Sequence, residues 1–294
     1  MANAQGIITH PAPTRPVAPK VIPKKRSAAP AKKKTPAASA RRPSKSVPAA
    51  PKPTIGTSSY IPQVRTYRVG GVTFEMVEVR GGTFMMGATS EQVSDTNRDE
   101  KPAHQVTLSS YYIGRTEVTQ RLWQAVMGNN PSYYEGDKRP VEQVSWDDCQ
   151  AFINRLNNLT GKRFRLPTEA EWEFAARGGV KSQGYKYSGS SYSGNVAWYC
   201  ENSGGTTHNV ATKQPNELGL YDMSGNVLEW CSDRYAPYSS DAQVNPTGPN
   251  IDSEHIFRGG SWSYRVSTCR TSYRSGGRSG YCSVFLGLRL CLSE

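Results

Sequence analysis

The first 66 residues hold 13 of the chain's 36 Lys and Arg and no Asp or Glu, with Glu75 the first acid. Stretches such as VIPKKRSAAPAKKKTPAASARRPSK are mostly Pro, Ala and Lys, with too little apolar surface to offset the entropy of ordering. Residues 1–66 are therefore expected to form a disordered basic arm, and whatever folds must fold from about Tyr67 onward. Beyond the arm 23 bases face 24 acids, so the net charge of +12 belongs to the arm and the folded part is close to neutral. Such an arm is expected either to act as a solvated tether or to meet polyanions (DNA, RNA or an acidic protein surface) weakly, by counterion release with steep salt dependence. No aromatic interleaves its charges before Tyr60, so base stacking is no part of that contact.

Residues 67–294 read as one α+β domain with a large share of irregular structure. Ser145 and Asp148 have capping-box spacing ahead of an apolar stripe of Cys149, Phe152, Ile153 and Leu156, and Gly161 is a natural stop. Thr168 and Glu171 repeat the device before Trp172, Phe174, Ala175 and Ala176, with Gly178 as the stop. A third, shorter helix is expected over Thr119 to Met127, strands over Val72–Val79, Gln105–Leu108 and Tyr111–Ile113, and no good helix after Gly178. Nothing approaches the roughly 18 apolar residues of a membrane span. The opening MANAQGIITHPAPTRP lacks the apolar stretch of a secretory signal. Six cysteines without CxxC spacing are expected as free buried thiols. His10, His104, His208 and His255 are scattered outside any nucleophile motif and are expected at the surface.

The least ordinary segment runs between FRGGSW and LGLRL. The 24 residues 263–286 comprise six Ser, four Arg, three Tyr, three Gly, two each of Val, Thr and Cys, one Phe and one Leu. Neither a 3.6 nor a 2.0 apolar period runs through them, so burial of one face is not expected to have set the composition. Every residue type present can be encoded by a codon ending in a pyrimidine, whereas the absent Lys, Glu, Gln, Met and Trp cannot. Those five types make up roughly a sixth of average protein sequence.

Six ordered segments carry a resemblance over most of the domain: GGTFMMG (81–87), YYIGRTEVTQRLWQAVMG (111–128), RPVEQVSWDDCQAFINRLN (139–157), FRLPTEAEWEFAARGG (164–179), NELGLYDMSGNVLEWCSD (216–233) and FRGGSW (257–262). Together they resemble the formylglycine-generating-enzyme, or sulfatase-modifying-factor, family. The resemblance implies a C-type-lectin-like fold, two helices around twisted antiparallel strands with long loops. The family's enzymes oxidise a cysteine with copper on two thiolates, and soft thiolates suit Cu(I). By position those thiolates fall three and eight residues after Ser261, where this chain has Tyr264 and Cys269. A phenol is a poor Cu(I) ligand, so no copper and no catalysis of that type are expected. The same resemblance implies a structural calcium site from the Asp222 and Glu229 side chains and the Gly225 and Val227 carbonyls, hard oxygens that suit Ca²⁺.

The composition of residues 263–286 further resembles the variable proteins of diversity-generating retroelements, which share this lectin-like fold. In those systems adenines of asparagine codons in a template are randomised between a fixed GGSW start and a fixed GxRL end. By this resemblance the varied, ligand-binding positions are Ser263, Tyr264, Arg265, Thr268, Tyr273, Ser275, Gly276, Gly277, Ser279, Gly280, Tyr281, Ser283, Val284 and Phe285. Arg258, Gly259, Gly260, Trp262, Gly287 and Arg289 would be scaffold. Tyr supplies amphipathic contact area at small entropic cost, and Ser and Gly supply adaptable polar contacts. The expectation is a non-catalytic module that binds a protein or glycan on another cell or particle, located in the cytoplasm or on a virion. The alternatives are an undiversified structural or assembly paralogue and a copper-dependent cysteine-oxidising enzyme.

Overall fold

The computed structural model describes residues 60–92 and 95–293; the expectation of an extended arm falls, for residues 1–59, outside them. The boundary at residue 66 is corrected. β1 (Val64–Val69) already pairs antiparallel with β2 (Val72–Val79), Val64 opposite Val77. Gly70 and Gly71 join them at φ 53° and 78°, the left-handed pair that a two-residue hairpin matched to strand twist requires. Ahead of β1, the Tyr60 hydroxyl donates to the Glu78 carbonyl at 3.0 Å.

The remaining strands are β3 (Gly82–Met86), β4 (His104–Leu108), β5 (Tyr111–Gly114), β6 (Phe164–Arg165), β7 (Leu228–Arg234), β8 (Gln243–Val244), β9 (His255–Arg258), β10 (Arg274–Gly277), β11 (Leu286–Leu288) and β12 (Cys291–Ser293). They form three sheets, ordered β1-β2-β5-β12-β6, β10-β9-β7-β11 and β3-β4-β8. Most pairings are antiparallel as expected, but β7 with β11 and β4 with β8 run parallel.

Local chemistry sets the helices. α1 (Gln120–Met127) starts where the Thr119 hydroxyl accepts from the Leu122 amide and stops at left-handed Gly128. Both expected capping boxes are present, Ser145 with Asp148 opening α2 (Trp146–Thr160) and Thr168 with Glu171 opening α3 (Glu169–Ala176). After Gly178 the one α-helix among the described residues is four residues long, Ser193–Val196, with short 3-10 turns at Gly179–Lys181 and Val266–Cys269. α1 and α2 pack Trp123 flat on Phe152, ring centroids 4.8 Å apart, within a buried cluster that also takes Met76, Leu156, Phe164, Trp230 and Leu288. α3 is buried on every side among Val77, Ile113, Met223 and Cys291. Each fully buried side chain of this size contributes about 1.5–3 kcal/mol.

The sheet order places the two segments that frame residues 263–285 in one sheet. FRGGSW leaves β9 and LGLRL enters β11, and both strands are bonded to β7, one on each side. Residues 263–285 are thus an excursion whose start and finish are clamped by a shared central strand. The clamp leaves no room for side chains at two glycines. A Cβ on Gly287 would lie 2.4 Å from the Val141 carbonyl oxygen, and one on Gly260, at φ 72°, 2.8 Å from the Thr268 backbone.

Candidate ligand-binding surface

The excursion has two faces of different chemistry. Ser263, Tyr264, Arg265, Gly280 and Tyr281 are exposed, and Thr268, Tyr273, Ser275, Gly276, Ser279, Ser283, Val284 and Phe285 are half-buried. Gly277 alone among the fourteen is buried, and a Cβ there would come within 3.1–3.2 Å of the Tyr281, Phe257 and Trp230 rings. Tyr264 meets Phe285 edge-on at 5.0 Å, so the two ends of the excursion share one aromatic patch.

The other face is buried, which corrects the expectation that burial did not shape this segment. Cys269, Arg270, Thr271, Ser272 and Arg274 are at most 2% exposed. The Arg270 guanidinium forks onto Glu100 at 2.5 and 2.7 Å, and Arg274 forks onto Glu169 at 2.7 Å on both arms. Burial by itself would raise the Glu100 carboxyl, but Arg270, the Asn97 amide and the Ser272 hydroxyl together hold it below its ordinary range. Arg258, on β9, lies beneath both: it pairs with Glu173 of α3 and donates to the carbonyls of Thr271, Ser272 and Tyr273. These paired guanidiniums fill the interior in place of apolar side chains. Buried charges persist only when so compensated, and no hydrophobic period records them.

At the position implied for copper the structure places Tyr264, its carbonyl accepting from the Cys200 amide at 2.9 Å. Cys269 is fully buried, and burial pushes its thiol up to about 12. Cys149, Cys231 and Cys291 are buried free thiols too, whereas Cys200 and Cys282 are exposed, against expectation. Among the histidines, His104 and His255 are buried rather than superficial; His255 is stacked on Trp146 at 3.9 Å.

Asp222 and Glu229 do come together, with a carboxylate the sequence reading had not included, Glu117. All three are buried around the single guanidinium of Arg289, which contacts Glu229 at 2.6 Å. Trp172 donates to Glu229 at 2.6 Å, and the Ala211 amide to Asp222 at 2.7 Å. Burial drives Glu117 well above the usual carboxylate range, with Asp222 and Glu229 adding to it. Burial likewise lifts Asp222 to about 6, although the Ala211 amide and Arg289 oppose it. Glu229 is thus the acid paired with Arg289, while burial holds Glu117 and Asp222 toward the neutral form beside it. Among the described residues no three His, Cys, Asp or Glu side chains converge as a metal site, so a hard cation here would need the Gly225 and Val227 carbonyls as well.

A second unread feature is an aromatic shoulder beside the patch. Tyr133, 61% exposed, meets Tyr134 edge-on at 4.9 Å, and Tyr134 meets Trp262 at 5.2 Å. The Trp262 indole donates to the Val284 carbonyl at 3.0 Å, joining the shoulder to the excursion.

Fold and site define a lectin-like scaffold of the formylglycine-generating-enzyme type carrying an exposed aromatic and polar excursion near its C-terminal end. The chain belongs to the family described as "Sulfatase-modifying factor enzyme 1-like domain", whose model matches residues 68–293. A solved structure, Treponema denticola variable protein 1, is 36% identical with TM-score 0.71, over 79% of this chain and 100% of that one. Chaperone protein LppX of Paenibacillus barcinonensis is 35% identical over 252 residues, 69% of this chain and 83% of that protein. The formylglycine-generating enzyme of Streptomyces coelicolor is 35% identical over 172 residues, 53% of this chain and 52% of the enzyme. Relatives thus include both a variable protein and enzymes. No helix among the described residues is long and apolar enough to cross a membrane.

Proposed function

We propose that this chain is a non-catalytic ligand-binding protein that displays a diversified surface built from residues 263–285. The observation that carries the reading is the division of the excursion: thirteen of the fourteen candidate positions keep solvent access, while the residues between them are tied down by Arg270, Arg274 and Arg258. A surface so supported can change residue by residue without disturbing the fold. Tyr264 at the first copper position, where a thiolate is required, speaks against cysteine oxidation. The likeness to a protein named as variable supports the same reading. The partner is a protein or glycan on another cell or particle.

Sequencing the DNA around the gene tests diversification. A near-identical, adenine-rich copy of the stretch encoding residues 263–286, beside a reverse transcriptase gene, is the expected result. A locus without that copy leaves an undiversified assembly paralogue as the better reading.

Calcium enters this reading as a structural ion held by Asp222 and Glu229 with the Gly225 and Val227 carbonyls. Millimolar Ca²⁺ at pH 7.5 is expected to raise the melting temperature by several degrees. A ligand at about 100 times its Kd adds roughly 2.7 kcal/mol to the folded state. Asp222→Asn is expected to abolish that increment while folding normally, because Asn tolerates the left-handed φ of 58° found there. An equal Ca²⁺ response in wild type and Asp222→Asn would remove the ion from this site.

A further inference from the structure

We infer that Glu142 is a pH-sensitive clamp on the aromatic shoulder, holding Tyr133 and Tyr134 beside the displayed surface at acidic pH and releasing them above neutrality. Its consequence for binding rests on the display reading; the clamp itself does not.

The geometry is specific. Glu142 is fully buried, its Oε1 accepts from the Tyr134 amide at 2.8 Å, and its Oε2 is buried without a hydrogen-bond partner. Its own amide donates to the Ser132 hydroxyl at 3.1 Å, so backbone and side chain both hold the 132–134 turn. The next residue, Gln143, stands at φ 59°, rarely adopted by residues other than glycine. Gln143 donates from its side chain to the Pro131 carbonyl at 3.3 Å and from its amide to the Ser283 carbonyl at 2.9 Å. Glu142–Gln143 is therefore a two-residue bridge between the shoulder on one side and the excursion on the other.

An unpartnered oxygen in such a place is tolerated when the carboxyl is neutral and becomes unfavourable once it ionises. Burial lifts this carboxyl to about 7, although the Tyr134 and Tyr133 amides and Arg139 favour the charged form. The charged and titratable groups facing it are Arg139 and the Tyr134 phenol. The sign follows: an acid whose folded value is raised stabilises its closed arrangement at low pH and loses that contribution as pH rises through about 7. Opening the turn lets water reach Oε2 and returns the carboxyl to its ordinary range.

Amide hydrogen exchange on the full chain, with no ligand present, reads the clamp directly. Protection factors at Tyr133 and Tyr134, corrected for intrinsic exchange, are expected to fall by roughly 50-fold between pH 5 and pH 9 in the wild type. In Glu142→Gln, which keeps the acceptor and removes the titration, they should stay level. Protection that is independent of pH in the wild type, or that falls equally in Glu142→Gln, overturns the inference. Should the variant not fold, the carboxyl ¹³C resonance of Glu142 in the wild type decides: a midpoint within about a unit of 7 supports the clamp and one below 6 overturns it. A titrating clamp in a protein that binds nothing through residues 263–285 would leave this inference standing and remove the display reading.

Discussion

Arg258→Met is expected to destabilise the folded domain by about 3–5 kcal/mol, the usual result of removing one partner of a buried ion pair. Arg258 is fully buried; burial opposes its charge, but Glu173, the Tyr238 hydroxyl and Glu169 outweigh that opposition and raise its pKa. Its loss leaves the Glu173 carboxylate in a dry interior with Arg177 and the Gly87 amide as remaining partners. It also leaves the carbonyls of Thr271 and Ser272, both in fully buried residues, without this donor. Urea denaturation of the wild type and variant measures the difference. A loss under about 1 kcal/mol would mean that the excursion is held from elsewhere and that the Arg ladder is incidental. The same experiment on an exposed residue such as Arg278 should move stability by less than about 0.5 kcal/mol.

This contrast also marks how far the sequence could be read. The three helices were legible because their signals are local: Thr119, Ser145 and Thr168 sit at caps, and the apolar stripes follow within one or two turns. The parallel pairing of β7 with β11 was not, since Leu228 and Leu286 lie far apart in sequence and nothing at either position encodes strand direction. The buried Arg face was missed for a chemical reason. Arg is ordinarily a surface residue, and only the approach of Glu100, Glu169 and Glu173 from other segments makes Arg270, Arg274 and Arg258 interior. Tyr133 and Tyr134 gave no local signal, because their link to the excursion runs through Trp262, over a hundred residues later. Glu142 offered a weak cue, an acid between the buried Val141 and Val144, but no local pattern shows that one of its oxygens is orphaned.

The double substitution Tyr264→Ala, Tyr281→Ala is expected to weaken ligand binding on the order of 100- to 1000-fold while changing stability by no more than about 1 kcal/mol. The two rings are 38% and 41% exposed, large for tyrosines in a domain whose other aromatics are mostly packed. Exposed Tyr of this kind contributes to a protein interface through desolvation of a broad, rigid ring, and two such anchors lost together amount to about 3–4 kcal/mol. Tyr273 is the less suitable target, because its side chain is half-buried, so its loss would mix packing with binding. The measurement pairs equilibrium binding to the surface that wild-type protein recognises with thermal unfolding of both proteins. Binding retained within a factor of three, at unchanged stability, would place the ligand away from residues 263–285. Binding and stability lost together would mean that the exposed face is part of the fold, and that a tolerant display surface is the wrong description of it.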